Sequence, residues 1–384
     1  MIAFTAKTLY TPTTTIANPV VLVEDGTIVS LETRDAGELP ASVNSTDFKD
    51  CIIAPGFIDI HVHGSAGYDV MQSDQSARPG FEKFLAQHGV TSYCATTVAE
   101  PLDATLKAVA RSADAIEHAR DETARARPIG IHLEGPFLSH ARRGVHPAAN
   151  LLLPTLDVFE KLWQAARGQV RVMTIAPELD GATEVIAEAA RRGVCVSLGH
   201  SDANLESARR GVAAGARHAT HTFNAMRPLD HRDPSILAEI LTNDNLTADV
   251  IADGFHVAPS MVDLLVRSKG VSNTVLITDA ISAAGMPDGR YRLGSFEVEL
   301  QGGKCVVEGR LAGSALTMDR AVRNLIKFVN VGLQQALRGA TVNPARIVGA
   351  NGKGILERGA DADFAILTAS GEVRATVING ILMQ

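Results

Sequence analysis

Eight short runs rich in β-branched residues recur through the middle of the chain, and between them lie stretches with apolar residues at helical spacing. The runs are Gly56 to His63, Gly89 to Thr97, Pro128 to Glu134, Val170 to Ala176, Gly193 to His200, Arg217 to His221, Leu246 to Ala252 and Asn273 to Asp279. Parallel strands need long crossovers, and segments such as Asp103 to Ala126 and Thr155 to Arg167 have the length and periodicity to supply them. Eight such units predict an α/β fold, a (β/α)8 TIM-like barrel. The competing arrangement is an open doubly wound sheet, but no Gly-x-Gly-x-x-Gly turn follows the first run.

The two ends of the chain read differently. Pro19 to Glu24 and Thr27 to Leu31 flank Asp25-Gly26, a strong hairpin signal, and no helix fits nearby. Asp363 to Leu367 and Val373 to Gly380 are again strand-like and separated by turn residues. A small β-sandwich domain built from residues 1–54 and 355–384 is therefore expected beside a barrel formed by residues 55–354.

Composition narrows the partners. With 384 residues, 46% hydrophobic and 21% charged, the chain can bury a large core. A net charge of −7 and the absence of a basic run longer than Arg142-Arg143 argue against nucleic acid and anionic membranes, leaving a small molecule as the expected partner. The first residues lack a secretory pattern, and no apolar run is long enough to span a bilayer. Cys51, Cys94, Cys195 and Cys305 lie far apart, as reduced thiols of a cytoplasmic protein would.

If the strands are as read, potential metal ligands fall at one recurring place. His61 and His63 end the first strand, Glu134 the third, His200 the fifth, His221 the sixth and Asp279 the eighth. That is the catalytic face of a barrel. His61 and His63, two apart on a strand, point to the same side. Alone, such a pair reads equally well as two polar residues near a strand end, so the other four positions decide. Imidazoles with a carboxylate suit Zn²⁺ or Fe²⁺, and an ion with an open position lowers the pKa of a bound water towards neutrality. Asp279 reads on its own as a capping carboxylate, and at the end of the eighth strand as a general base that takes the water's proton and passes it to a leaving amine. His146 and His256 sit in loops on the same face, as surface histidines or as donors to a developing oxyanion or to substrate hydroxyls. Arg227 and Arg232 follow the sixth strand, either solvated or holding an anion. His88, His118, His132, His140, His218 and His231 are expected to be structural or solvent-facing.

These residues resemble the N-acetylglucosamine-6-phosphate deacetylases of the amidohydrolase superfamily. The resemblance runs nearly end to end. It rests on Pro55 to Gly64 (PGFIDIHVHG), His132 to Phe137 (HLEGPF), Leu198 to Ala203 (LGHSDA), His221 to Met226 (HTFNAM), Ala252 to Val257 (ADGFHV), Thr278 to Ala280 (TDA) and Leu311 to Asp319 (LAGSALTMD). It implies removal of acetyl from N-acetyl-D-glucosamine 6-phosphate in amino-sugar metabolism. It further implies Glu134, His200 and His221 as core metal ligands, Asp279 as acid and base, and His146 and His256 as contacts to sugar and acetyl carbonyl. Asn224 and Ala225 match a backbone contact to the phosphate. Arg232 resembles an arginine reaching the phosphate from a neighbouring subunit, which implies a homodimer. Some members lack the first-strand histidines and hold one metal; this chain keeps His61 and His63, so one or two ions per subunit are expected, Zn²⁺ before Fe²⁺. The loop Leu138 to Gly144 is expected over the pocket and mobile, with Arg142 where a typical member has lysine.

Three rival readings stand beside this one. A deacetylase for the galacto epimer would use the same site. A cyclic-amide hydrolase of the dihydroorotase or hydantoinase kind shares the opening His-x-His, but typically bridges its metals with a lysine on the fourth strand, where Val170 to Ala176 has none. A non-catalytic scaffold on the same fold would be expected to lose ligands, and all six positions are filled.

Overall fold

All eight expected runs form strands: Phe57–Val62, Val90–Thr96, Arg127–Glu134, Val170–Ile175, Cys195–Leu198, His218–Ala219, Ala248–Ile251 and Thr274–Ile277. The computed structural model describes residues 1–34, 43–72, 74–119 and 124–383. The first six strands form one curled, wholly parallel sheet in chain order, and the last two pair in parallel beside it. The sheets meet at both edges. Ala219 N donates to Thr247 O and Thr222 N to Asp249 O across the sixth and seventh strands, and Asp279 N donates to His61 O across the eighth and first. These strands are buried along their whole length, so no polar–apolar alternation marks them, and short β-branched runs were the signal.

Helices cover the outside of this sheet. Ala182–Arg191 buries Ala182, Val185, Ile186 and Ala189, one stripe at i, i+3, i+4 and i+7. Each fully buried isoleucine or valine contributes about 1.5–3 kcal/mol. Leu156–Ala165 starts where the Thr155 side chain accepts from Val158 N, a capped terminus matching the expected helix. The helix expected over Asp103 to Ala126 is shorter, Leu102–His118. Residues 120–123 of that expectation lie outside the described residues, and Ala126 already leads into the third strand, its N–H donating to Glu82 O.

The termini form two further sheets. One has the strand order Thr27–Thr33, Pro19–Glu24, Ile2–Thr5, Asn44–Asp47; the other runs Ile381–Leu382, Val373–Ile378, Phe364–Leu367, Ile52–Pro55, Thr8–Tyr10, Thr15–Ala17. They share one apolar cluster that includes Phe4, Leu9, Val21, Ile28, Ile53, Phe364 and Ile366. The Asp25-Gly26 turn has positive φ at both residues, 48° and 75°, as a tight hairpin demands.

One element was not expected. Between the eighth parallel strand and the helix Met318–Val329 the chain makes a four-stranded antiparallel sheet, Gly289–Leu293, Phe296–Gln301, Lys304–Val307 and Arg310–Leu311. Its apolar side packs Leu293, Val298, Leu300 and Cys305 against Val98 and Ile281 at the mouth of the parallel sheet.

Candidate metal centre

The carboxyl ends of the parallel strands converge on one buried cluster. His61, His63, Glu134, His200, His221 and Asp279 are each at most 8% exposed. Their ligand atoms fall into two groups, His61, His63 and Asp279 in one and Glu134, His200 and His221 in the other, each within 4.8 Å. Nε2 of His200 and of His221 lie 3.1 Å apart and 3.2 and 3.0 Å from Glu134 Oε1. Nε2 of His61 and of His63 lie 3.3 Å apart, and that of His63 is 3.1 Å from Asp279 Oδ1 and 3.2 Å from Glu134 Oε2. Glu134 thus faces both groups, Oε1 lying near His200, His221 and, at 3.4 Å, His61, and Oε2 near His63.

The outer ring nitrogens are held unevenly. His200 Nδ1 lies 2.9 Å from Arg142 O and His63 Nδ1 3.2 Å from Thr96 O, whereas Nδ1 of His61 and of His221 has no hydrogen-bond partner among the described residues. Within the first strand Asp59 accepts from His61 N and from Thr278 Oγ1, tying the His61 main chain to the residue before Asp279. Burial pushes the Asp59 carboxyl up to about 6 against those hydrogen bonds.

The electrostatics ask for positive charge at the centre. Burial opposes ionisation everywhere in the cluster. Against it, the surrounding imidazoles, His61 first, hold Glu134 well below the usual carboxylate range, and His63 holds Asp279 down at about 2. Burial would also lower His63 and His221, but hydrogen bonds to Asp279 and Glu134 raise His63 to about 10, and Glu134 raises His221 to about 9. For His200 burial wins, and it falls to about 4. Ionised carboxylates that force protons onto buried imidazoles mark a place that a divalent cation would neutralise. Converging nitrogen and oxygen donors, with ring nitrogens nearly touching in pairs, fit such an ion better than any internal hydrogen-bonding scheme.

The other expected residues divide. His146 is buried, with its Nδ1 accepting from Ala99 N at 3.1 Å and its Nε2 3.6 Å from Glu134 Oε2. His256, steadied by Asp253 Oδ2 at 2.7 Å, and Asn224 and Ala225 line the same cavity, whose apolar walls are Val98, Val145, Ile251 and Leu293. Arg232 does not join them. It is exposed, its amide held by Asp230, and Arg227 pairs with Asp233 instead. The loop before His146 is tied down by Arg142, whose Nε lies 2.7 Å from Asp202 Oδ1. His132 is structural as expected, bridging Ile60 O and Thr174 Oγ1. Sequence reasoning missed Asp249, which accepts the His221 amide, and Leu293. Alternation in Phe296 to Gln301 was the available signal for the element that carries Leu293.

Comparison with known proteins gives the family. The amidohydrolase family model matches residues 52–383. The N-acetylglucosamine-6-phosphate deacetylase of Bos taurus is 39% identical over 94% of this chain and 90% of its own length, and that of Homo sapiens 40% identical over 87% and 85%. The structure of a mutant N-acetyl-D-glucosamine-6-phosphate deacetylase from Mycobacterium smegmatis, in complex with N-acetyl-D-glucosamine-6-phosphate, superposes with a TM-score of 0.91 at 32% identity, covering 99% of this chain and 98% of that one. This chain therefore belongs to the amidohydrolase family and, within it, to the N-acetylglucosamine-6-phosphate deacetylases.

Proposed function

We propose that the chain hydrolyses the N-acetyl group of N-acetyl-D-glucosamine 6-phosphate, giving acetate and D-glucosamine 6-phosphate. The observation that carries this reading is Glu134, one buried carboxylate facing two convergent ligand groups, with Asp279 at their edge, in a chain similar to such deacetylases over nearly its whole length. Glu134, His200 and His221 would hold one divalent ion, Zn²⁺ before Fe²⁺, and His61 and His63 a second where two are bound. A bound ion supplies Lewis acidity to the acetyl carbonyl and eases deprotonation of water.

The chain's own residues do the rest. Asp279 takes the proton from the attacking water as the oxygen–carbon bond forms. It then delivers that proton to the sugar nitrogen as the carbon–nitrogen bond breaks, so that the amine leaves neutral. His146 and His256 steady the carbonyl oxygen and a sugar hydroxyl. The backbone at Asn224 and Ala225 meets the phosphate. Arg232 is exposed on a loop away from its own cavity, which suits a guanidinium that reaches the phosphate of a second copy in a homodimer.

The same reading includes closure of the two parallel sheets into a (β/α)8 barrel over residues 55–354, supported by the edge hydrogen bonds at Asp279 and Thr222. It also includes a β-sandwich domain of residues 1–54 and 355–384, supported by the shared apolar cluster of the terminal sheets. No helix among the described residues is long and apolar enough to cross a membrane, and four free thiols suit a cytoplasmic enzyme. Metal analysis together with acetate release tests the whole. The expected result is release from the gluco 6-phosphate, much slower release without the phosphate, and at least one divalent ion per chain. Faster release from the galacto epimer would overturn the substrate, and full activity in a metal-free chain would overturn the centre.

A further inference from the structure

His200, His221 and Asp279 all have backbone φ in the left-handed region, at 47°, 31° and 49°. For a residue with a Cβ that conformation costs about 1–2 kcal/mol, and it persists where the surroundings over-determine it. All three take main-chain bonds, the carbonyl of His221 accepting from Asn224 N at 2.9 Å. Ser139 N donates to His200 O at 2.9 Å, while Asp279 N donates to His61 O and its carbonyl accepts from Ser314 N.

His221 is held by a buried carboxylate as well. Its amide donates to Oδ1 of Asp249, which projects from the adjacent seventh strand, and Oδ2 of that carboxylate lies 3.0 Å from His218 Nε2. Asp249 and His218 are both fully buried. The second ring nitrogen of His218 lies 2.7 Å from Thr247 Oγ1, so the imidazole is fixed from both sides. The main chain of Asp249 takes part as well, its carbonyl accepting from Thr222 N at 2.9 Å. Because His221 Nδ1 lacks a hydrogen-bond partner among the described residues, the ring is not steadied from its far side as His200 and His63 are. What aims it is the turn beneath it.

We propose that Asp249 is a positioning residue for the metal centre: with one oxygen on the His221 amide and the other on His218, it fixes the strained turn that points His221 Nε2 at Glu134, and so sets how tightly the site holds its ion. The inference rests on the reading of His221 as a metal ligand. Outer-shell partners of metal-binding histidines are worth 10–100-fold in metal affinity, and Asp249, which acts on the His221 main chain and not on its ring, is the outer-shell carboxylate here.

The test is the Zn²⁺ dissociation constant of the full chain, measured in metal-buffered solution, with the Tm of the metal-free protein as control. Asp249→Ala is expected to weaken binding by about 10–100-fold, and to change the visible absorption of the Co²⁺-loaded protein, which reports the geometry around the ion. Asp249→Asn keeps an oxygen for the His221 amide and should restore most of the affinity. Should the alanine chain not fold, Asp249→Ser, too short to reach that amide, takes its place with the same expectation. A folded Ala or Ser variant with parental Zn²⁺ affinity and Co²⁺ spectrum would overturn the inference while leaving the metal centre standing. A parent chain that binds no divalent ion would overturn both.

Discussion

As the proposed base, Asp279 carries two demands that pull against each other. It must stay ionised in a buried place to accept a proton, and His63 at 3.1 Å together with the charge of His61 holds it so. Replacing it by asparagine keeps the shape and removes the basic oxygen. Asp279→Asn is expected to retain its metal and its Tm while acetate release falls by about 10²–10⁴-fold; a folded, metal-loaded variant releasing acetate at the parental rate would refute the assignment. The two ligand groups make a second contrast. His200→Ala should strip the site of bound metal altogether, whereas His63→Gln should lower the metal content of the purified chain by at most one ion and leave measurable activity. Equal metal loss in both variants would count against two separable positions. These residues were legible in the sequence because each sits where a β-branched run ends. Asp249 was not, since a lone carboxylate inside the apolar run Leu246 to Ala252 acquires meaning only from the strand beside it.

The eight parallel strands and their helices could be read because burial on both faces and amphipathic covering leave strong one-dimensional patterns. The antiparallel sheet 289–311 escaped for a physical reason: half its residues face solvent, so its strands are short and polar, and their alternation is interrupted by turns every few residues. Its placement depends on contacts no local pattern encodes. Gly294 N donates to Asp69 Oδ2 at 2.8 Å and Ser295 N to Glu100 Oε1 at 2.6 Å, pinning the turn that carries Leu293 to the cavity wall. Gly294 has φ of 57°, and a Cβ there would fall 2.5 Å from Glu100 Oε1. Glu100→Ala should therefore loosen the wall and leave the metal alone. The expected outcome is faster amide hydrogen exchange at Ser295 and a KM raised by roughly tenfold, equivalent to about 1.4 kcal/mol, with kcat nearly unchanged. A fall in kcat at constant KM would place the effect elsewhere. At the Asp25-Gly26 hairpin the sequence signal was complete, and the tolerance is correspondingly small. A Cβ on Gly26 would meet Asn379 Oδ1 at 2.0 Å, so Gly26→Ala is expected to lower stability by about 1–3 kcal/mol in thermal denaturation without altering acetate release.

At the scale of the molecule, the terminal sheets and the parallel sheet are joined through one buried carboxylate. Asp363 leads into the strand Phe364–Leu367, and its oxygens lie 3.2 Å from Nη2 of Arg127, which opens the third parallel strand. Lys353 Nζ donates to Oδ2 at 2.5 Å and Asn379 N to Oδ1 at 2.7 Å, while Gly56 N donates to the Asp363 carbonyl at the threshold of the first parallel strand. Burial alone would raise this carboxyl, but the charges of Lys353 and Arg127 and the donated hydrogen bonds outweigh it and hold Asp363 below its ordinary value. The folded value lies below the unfolded one, about 3.9 for a free aspartate, so folding favours the ionised form. The contribution is then complete above about pH 4 and drains away as pH falls from there towards the folded value. Removing the carboxylate leaves Arg127 without this partner and Lys353 with only the half-exposed Asp361, whose Oδ2 lies 2.8 Å from Nζ, a loss of about 1–3 kcal/mol. Asp363→Ala should accordingly unfold at a clearly lower Tm than the parent at pH 7, and the gap between the two should narrow as pH is lowered from 4 to 2, because only the parent has that stabilisation to lose. A gap that stayed constant across that range would mean the carboxylate joins the two sheet systems by packing and not by charge.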